Sequence, residues 1–441
     1  MPDRIATHYD PRQRLFVHGS PQSGDIPLPV LDGVLSIDDS DLDWAGEDFG
    51  RVVLSRPLAV AHAASRNDVI AIQRFARTHG LPVVPRAQGH STNGQAQAPG
   101  GIVLNINHLN AIHHIADDHI VVEAGATWSQ VVTAALAYGT TPPVLTDYLE
   151  LSVGGTLSVG GLGGASHHHG AQTDNVLELD VVTPDGTLHT CSTTAEPDLF
   201  DAVRGGYGER GTIVQATLRL IPAPTHARVY RLRYRRLADL LADQRHLVAE
   251  PRFDYLEGQA KLEDDGGWTY VLEIAHFFTP PAEPDDARLL TGLPTVGADM
   301  TDTTYWDFLN RIADDVALLR RIGPWQNPHP WNNLLVPDDA IEEIVTEVLS
   351  EVDREALGDS GLVLLYPLLR DRLRTPQLQV PITPLIFLLA VLRTAPANSP
   401  EIVSQMVEHN RRAQELVTTS GGTIYLRSTR TPEPKSPAAL P

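Results

Sequence analysis

Pro85-Arg86-Ala87-Gln88-Gly89-His90-Ser91-Thr92-Asn93-Gly94-Gln95 follows a short apolar run, Leu81, Val83 and Val84. The run reads as a strand. The stretch after it supplies small residues, backbone amides and one histidine at a turn. That combination suits a loop wrapped around a diphosphate, because amide N–H groups gather negative charge without bulky side chains. It also sets an imidazole beside whatever group the diphosphate carries. The loop lacks the strand–Gly-x-Gly-x-x-Gly–helix context of a dinucleotide fingerprint and the lysine of a phosphate loop.

Upstream of the loop, Leu58 to Ala61 reads as a strand. Ser65-Arg66-Asn67-Asp68 matches a capping box, with Asp in place of the usual Glu. The helix it opens carries Val69, Ile70, Ile72 and Phe75 at helical spacing, and Gly80 with Pro82 ends it. Downstream, Ile102 to Ile106 and Ile120 to Val122 read as strands, and Thr127 to Tyr138 as a helix stopped by Gly139. Leu177 to Thr183 and Leu188 to Cys191 form a hairpin across Pro184-Asp185-Gly186. Residues 52–222 therefore read as one α+β domain.

Pro222-Ala223-Pro224 marks a boundary, and residues 223–428 read as a second α+β domain. Its strands are Tyr230 to Tyr234 and Tyr270 to Phe278. Its helices are Leu237 to Val248, Asp302 to Ile322 and Ala340 to Val352. Pro280 to Pro284 reads as a surface loop. Residues 1–51 form an acidic, turn-rich N-terminal segment in which Val30 to Leu35 fits a short helix or a strand equally. Residues 429–441, rich in Pro, Ser and Thr, read as a loose tail.

Composition sets the outer limits. The chain has 441 residues, 42% of them hydrophobic, and a formal net charge of −21. A sizeable core is available. Nucleic acid and anionic lipid are excluded as partners, since both need clustered Lys and Arg. Cys191 is the only cysteine, which leaves no disulfide within the chain and no cysteine metal cluster. The N-terminus lacks an apolar signal core. The longest apolar stretch, Pro384 to Leu392, is too short to span a bilayer, so a cytoplasmic location is expected. His167-His168-His169 is not read as a metal site, because consecutive side chains diverge and no second ligand motif accompanies them.

Two further segments echo the first loop. Thr146-Asp147-Tyr148-Leu149-Glu150-Leu151-Ser152-Val153 leads into Gly154, Gly155, Gly160, Gly161, Gly163 and Gly164. This density is too high for a packed helix or a long strand. It lets backbone approach a ligand closely. Arg204-Gly205-Gly206-Tyr207-Gly208-Glu209-Arg210-Gly211 precedes an alternating strand, Val214 to Leu220, and is either a turn or a lining for the adenine end of a dinucleotide.

In order and spacing these three segments resemble the flavin domain of the vanillyl-alcohol-oxidase superfamily, and within it the cytokinin dehydrogenases. That family carries Arg-Gly-x-Gly-His-Ser, then Gly-Gln-Ala, then Thr-Asp-Tyr-Leu followed by Thr-Val-Gly-Gly-Thr-Leu-Ser. Here stand Arg86 to Ser91, Gly94-Gln95-Ala96 and Thr146 to Ser158. Asn175 to Thr183 and Asp198 to Val203 fit as well. In the second domain, Pro328-His329-Pro330-Trp331-Asn332-Asn333 resembles the family's Pro-His-Pro-Trp-x-Asn, and Tyr366-Pro367-Leu368 its Tyr-Pro-Leu. The likeness runs from residue 52 to residue 427.

The resemblance implies a two-domain PCMH-type FAD-binding fold, with an antiparallel sheet flanked by helices in the substrate domain. It implies FAD, bonded through His90 to the flavin methyl carbon. Arg86, Ala87, Gln88, Gly89, Ser91, Gln95, Ala96, Ser152, Gly155, Ser158, Leu162 and Ile213 fall where the family meets the cofactor. Asp147 is implied as the catalytic carboxylate that accepts a proton or hydrogen bond from the substrate nitrogen, with Glu273 as its acidic partner. Trp331, Asn333, Asp314 and Tyr366 are implied on the substrate side. The implied reaction is that of a bacterial enzyme passing hydride from the carbon beside N6 of an isoprenoid adenine to the flavin. Oxygen or another acceptor then reoxidises the flavin, and a homodimer is allowed. Two alternatives stay open. One is a related oxidase of secondary metabolism acting on an alcohol or amine. The other is a flavin-binding protein without catalysis.

Two departures qualify the resemblance. Ala87 replaces a family glycine, which is tolerable only where φ is negative. The family's later Pro-Gly-Gln segment has no counterpart before Pro441. A more exposed flavin, closure by a partner subunit or a different substrate are the consequences to expect. Cys191 is expected in the core, since doubly tethered relatives place their cysteine where Glu150 stands.

Overall fold

The computed structural model describes residues 4–294 and 298–426. The quoted loop leaves a four-stranded sheet with the spatial order Val34–Ser36, Ala59–His62, Ile102–Asn105, Val83–Arg86. The last three strands pair in parallel, and Val34–Ser36 adds an antiparallel edge. The crossover between Ala59–His62 and Val83–Arg86 is the helix Arg66–His79. Its capping box closes as the sequence indicates, with Ser65 and Asp68 each satisfying the other's amide, and Gly80 ends it at φ +62°. Asp68 does more than cap. Its carboxylate also accepts from the amides of Asp32 and Gly33 at 2.7 and 2.9 Å. This anchors the Val30 to Leu35 stretch, whose end enters the edge strand Val34–Ser36.

A second, antiparallel sheet runs Leu188–Ser192, Val176–Val182, Thr212–Arg219, His119–Glu123, Ile112–Ile115. Leu104, Ile120, Val122, Trp128, Leu179 and Phe200 fill the core of this unit. Cys191 joins them, fully buried, and burial pushes its thiol up to about 11. The histidine run is structural: His167 Nδ1 meets the Gly164 carbonyl at 2.7 Å, and His168 Nε2 meets the Phe253 carbonyl at 2.9 Å.

The third sheet has eight antiparallel strands in the order Asp299–Thr304, His226–Tyr234, Trp268–Phe278, Tyr255–Leu262, Leu362–Leu369, Leu385–Leu392, Asn332–Pro337, Thr423–Tyr425. The helices Leu237–Ala249, Ile341–Ser350 and Pro400–Thr419 pack on one face through Leu240, Ile344, Val345, Val417 and their neighbours. The other face turns towards the glycine-rich loops.

Two expectations are corrected. Asp302 to Ile322 is not one helix. Its start belongs to the strand Asp299–Thr304, where Thr301, Thr303 and Thr304 favour extended backbone, and two helices follow, Tyr305–Leu309 and Ala313–Ile322. The glycine-dense segment does contain a short helix, Val153–Leu157, capped by Ser152. Packing overrides propensity there, because Gly154 backs so closely on Ala124 that a Cβ would sit 2.8 Å from it. Packing also continues across Pro222: Ala227, Val229, Tyr255 and Phe308 belong to the first core. The expected tail at 429–441 lies outside the described residues.

Candidate active site

A cavity of about 710 Å³ separates the glycine-rich loops from the open face of the eight-stranded sheet. Arg86 through Ser91, Gln95, Ala96, Ser152, Gly155, Ser158, Leu162 and Ile213 line it on the loop side. Asp147, Glu273, Trp331, Asn333 and Tyr366 line it elsewhere. Asp314 does not: it is exposed in the first turn of Ala313–Ile322, and Arg311, Ile312 and Asp315 are the residues of that region that reach the cavity.

The loop side fits a dinucleotide. Among the described residues, the amides of Gly89, His90, Ser91 and Thr92 meet no backbone acceptor, so they remain as a cradle of donors. Gly89 holds φ +65°, and a Cβ there would sit 2.4 Å from the Arg86 guanidinium. Ala87 is absent from the positive-φ positions, so the family's glycine is replaced without strain. The buried indole N–H of Trp331 has no partner and is free to donate to a ligand. Gln95 Nε2 donates to the Leu426 carbonyl at 3.2 Å, and Gly161 N to the Tyr425 hydroxyl at 3.1 Å, which ties the last described residues to both loops.

His90 stacks on Phe49 with centroids 3.9 Å apart. Burial, then His329 and Arg320, pushes its pKa down to about 3. The imidazole is therefore neutral at physiological pH and keeps a nucleophilic lone pair.

Asp147 lies in a network that sequence reading half saw. Arg311 Nη2 donates to Asp147 Oδ1 at 2.7 Å, and its Nε to Glu273 Oε1 at 3.1 Å. Glu273 gives its second oxygen to Arg231 at 2.7 Å. Glu257, buried, stands on the neighbouring strand with Arg311 Nη2 at 3.4 Å. The hydroxyls of Tyr255 and Tyr366 each touch both Asp147 and Glu257. Each phenol has one hydrogen to donate, so these contacts call for a proton on a carboxyl group. Glu257 is the group that holds it: burial, then the charge of Asp147, pushes its pKa up to about 7.

Tyr255, Glu257 and Arg311 were not singled out from sequence. The signal for the first two was present. Tyr255, Glu257, Gln259 and Lys261 alternate along one strand, a period-2 polar face, and the last three line the cavity. Arg311 was hidden inside the stretch misread as a continuous helix.

Residues 57–192 match the family model of an FAD binding domain, and residues 260–433 match that of cytokinin dehydrogenase 1, FAD and cytokinin binding. An uncharacterized oxidoreductase of the fasciation locus of Rhodococcoides fascians is 42% identical, over 90% of either chain. Cytokinin dehydrogenase 6 of Oryza sativa subsp. japonica is 36% identical, over 79% of this chain and 75% of the relative. Cytokinin dehydrogenase 2 of Arabidopsis thaliana is 33% identical, over 86% and 83%. The crystal structure of 6-hydroxy-D-nicotine oxidase from Arthrobacter nicotinovorans superposes with a TM-score of 0.68 at 24% identity, covering 91% of this chain and 90% of that one, and so shares the fold. No helix among the described residues is long and apolar enough to cross a membrane. The chain is an FAD-dependent oxidoreductase of the cytokinin dehydrogenase-like family.

Proposed function

We propose that this enzyme oxidises an N6-isoprenoid adenine at the carbon next to N6. The observation that carries the reading is Asp147, held where the cavity's loop side meets the substrate-domain sheet and linked through two phenols to the buried Glu257. FAD, when bound, supplies the two-electron acceptor that takes the hydride. Asp147 orients the substrate N–H and accepts its proton. Tyr366 and Tyr255 connect that carboxylate to Glu257, so a proton arriving at Asp147 is shared rather than stranded. The resulting imine is hydrolysed to adenine and an aldehyde. Trp331 and Asn333 flank the planar part of the substrate, and His90 is the tether to the flavin. Asp314 has no part in this reading.

Anaerobic addition of isopentenyl-adenine should bleach the flavin absorbance within minutes. No bleaching with this substrate, alongside bleaching by dithionite, would sink the isoprenoid-adenine assignment. Bleaching by an unrelated amine or alcohol alone would move the substrate to secondary metabolism. For the tether, acid precipitation should leave the yellow colour in the pellet.

A further inference from the structure

The segment Trp44–Arg51 plays no part in the function described above, yet it encloses the histidine on which the tether depends. Phe49 N donates to the Gly89 carbonyl at 2.9 Å and Gly50 N to the Ser91 carbonyl at 3.1 Å, so two backbone bonds bracket His90. Buried Asp48 accepts from Ser91 Oγ at 2.9 Å and from Gly94 N at 2.7 Å. Arg86 lies 4.3 Å over the Trp44 ring and donates to the Glu47 carbonyl. There is no slack at the centre of this contact, since a Cβ on Gly50 would sit 2.1 Å from the Thr92 carbonyl.

The Phe49 ring lies between two imidazoles. It stacks on His90 at 3.9 Å and 22°, and on His329 at 4.2 Å and 6°. His329 is itself fixed, its amide donating to the Gly50 carbonyl at 2.8 Å and its ring meeting the Trp325 carbonyl at 3.3 Å. By contrast, no hydrogen bond to either ring nitrogen of His90 is found among the described residues. Its ring plane is therefore set by stacking, and Phe49 is the closest ring in that stack, with Tyr148 at 5.0 Å on tilted planes. Face-on contact with Phe49 occupies the π face and leaves the in-plane lone pair of a ring nitrogen unobstructed.

We propose that Phe49 is a positioning residue for flavin attachment: backed by His329, it holds the His90 ring at the angle from which a nitrogen bonds the flavin methyl carbon. The inference rests on the tether reading above. In that bond formation a C–N bond forms while one methyl C–H and the imidazole N–H break. The two electrons and two protons released pass to dioxygen, which leaves as hydrogen peroxide.

The test uses the full-length enzyme purified with FAD, as wild type, Phe49→Ala, Phe49→Leu and Phe49→Tyr. Two quantities are read over time: flavin per native chain by absorbance, and the fraction that stays with acid-precipitated protein. Phe49→Leu keeps apolar volume without a ring plane and covers the case in which Phe49→Ala fails to fold. The expected result is flavin occupancy near wild type in the Leu and Ala variants, with attachment slower by on the order of ten-fold to a hundred-fold, the scale of a small misplacement of a reacting group. Phe49→Tyr should restore it. Attachment at the wild-type rate in Phe49→Leu overturns the proposal. So does a fall in attachment that only tracks lost occupancy, or a failure of Phe49→Tyr to rescue. A wild-type enzyme whose flavin all stays in the acid supernatant sinks the tether reading instead, and that outcome is distinct from a tethered wild type with an equally tethered Phe49→Leu.

Discussion

Replacing Glu257 by Gln should change how stability depends on pH, and the sign follows from the site. Glu257 is 3% exposed, enclosed by Tyr255, Tyr366 and Arg311. Burial first, and the charge of Asp147 second, raise its pKa from 4.5 to about 7. Between those values the native enzyme holds a proton that the unfolded chain has released. The native advantage is complete below pH 4.5, shrinks as pH rises, and is gone once pH passes the folded value near 7. A shift of this size corresponds to roughly 3 kcal/mol. Unfolding a chain of 441 residues carries an entropy of about 2 cal/mol/K per residue, so the loss appears as roughly 3 to 4 °C in Tm.

Gln cannot ionise, yet it keeps an oxygen to accept from the phenols. Thermal unfolding of wild type and Glu257→Gln, both loaded with FAD, should be followed at pH 5, 6, 7 and 8 at one ionic strength. Taking the difference between the two proteins at each pH cancels the titration of every other group. The wild type should lose about 2 to 3 °C relative to Glu257→Gln between pH 5 and pH 8, most of it between pH 5 and pH 7. A difference that stays constant across the series would show that Glu257 is ionised throughout, and the shared-proton account of the site would fall with it.

The remaining expectations are shorter. Asp147→Asn should slow anaerobic flavin reduction about 10²- to 10⁴-fold, measured by stopped flow, with flavin occupancy kept; reduction within a few-fold of wild type removes Asp147 as the proton acceptor. Gly89→Ala forces a side chain into positive φ and against the Arg86 guanidinium, so the flavin-to-protein ratio of the purified enzyme should drop, and a full complement of FAD would contradict the assigned loop geometry. Cys191 is buried, with its thiol held well above physiological pH, so a thiol reagent should find nothing in the native enzyme and one equivalent after denaturation.

Much of the flavin half was legible because its signals are local. A capping box, a glycine at a helix end and a Pro-Asp-Gly hairpin each act within a few residues, and each formed as read. The substrate half was less legible because its strands are defined by distant partners. Leu385–Leu392 is buried on nearly all sides between Leu362–Leu369 and Asn332–Pro337, so it shows a continuous apolar run instead of alternation. The 20-residue helix Pro400–Thr419 mixes charge with an apolar stripe of Met406, Ala413 and Val417 and was not picked out. The N-terminal segment was opaque for a third reason. Phe49 and Asp48 have no pattern of their own and take their meaning from the loop they enclose, roughly forty residues later.

The carboxylate pair shows why charge partners are harder to read than motifs. Sequence reading joined Asp147 to Glu273, and both do line the cavity. Arg311 nevertheless stands between them, and Glu273 gives one oxygen to Arg311 and the other to Arg231. Each Glu273 oxygen is paired with a guanidinium group, and among the described residues no phenol bridges Glu273 to Asp147. Glu257 has one guanidinium contact, at 3.4 Å, accepts from Gln259 Nε2 at 2.6 Å, and otherwise faces phenols that also touch Asp147. Proton sharing therefore passes to Glu257, while Glu273 serves to hold Arg311 in place. The two glutamates sit directly opposite each other on adjacent antiparallel strands, so no feature of either segment alone could have ranked them. What separates them is Arg231, supplied by a third strand on the far side of Glu273.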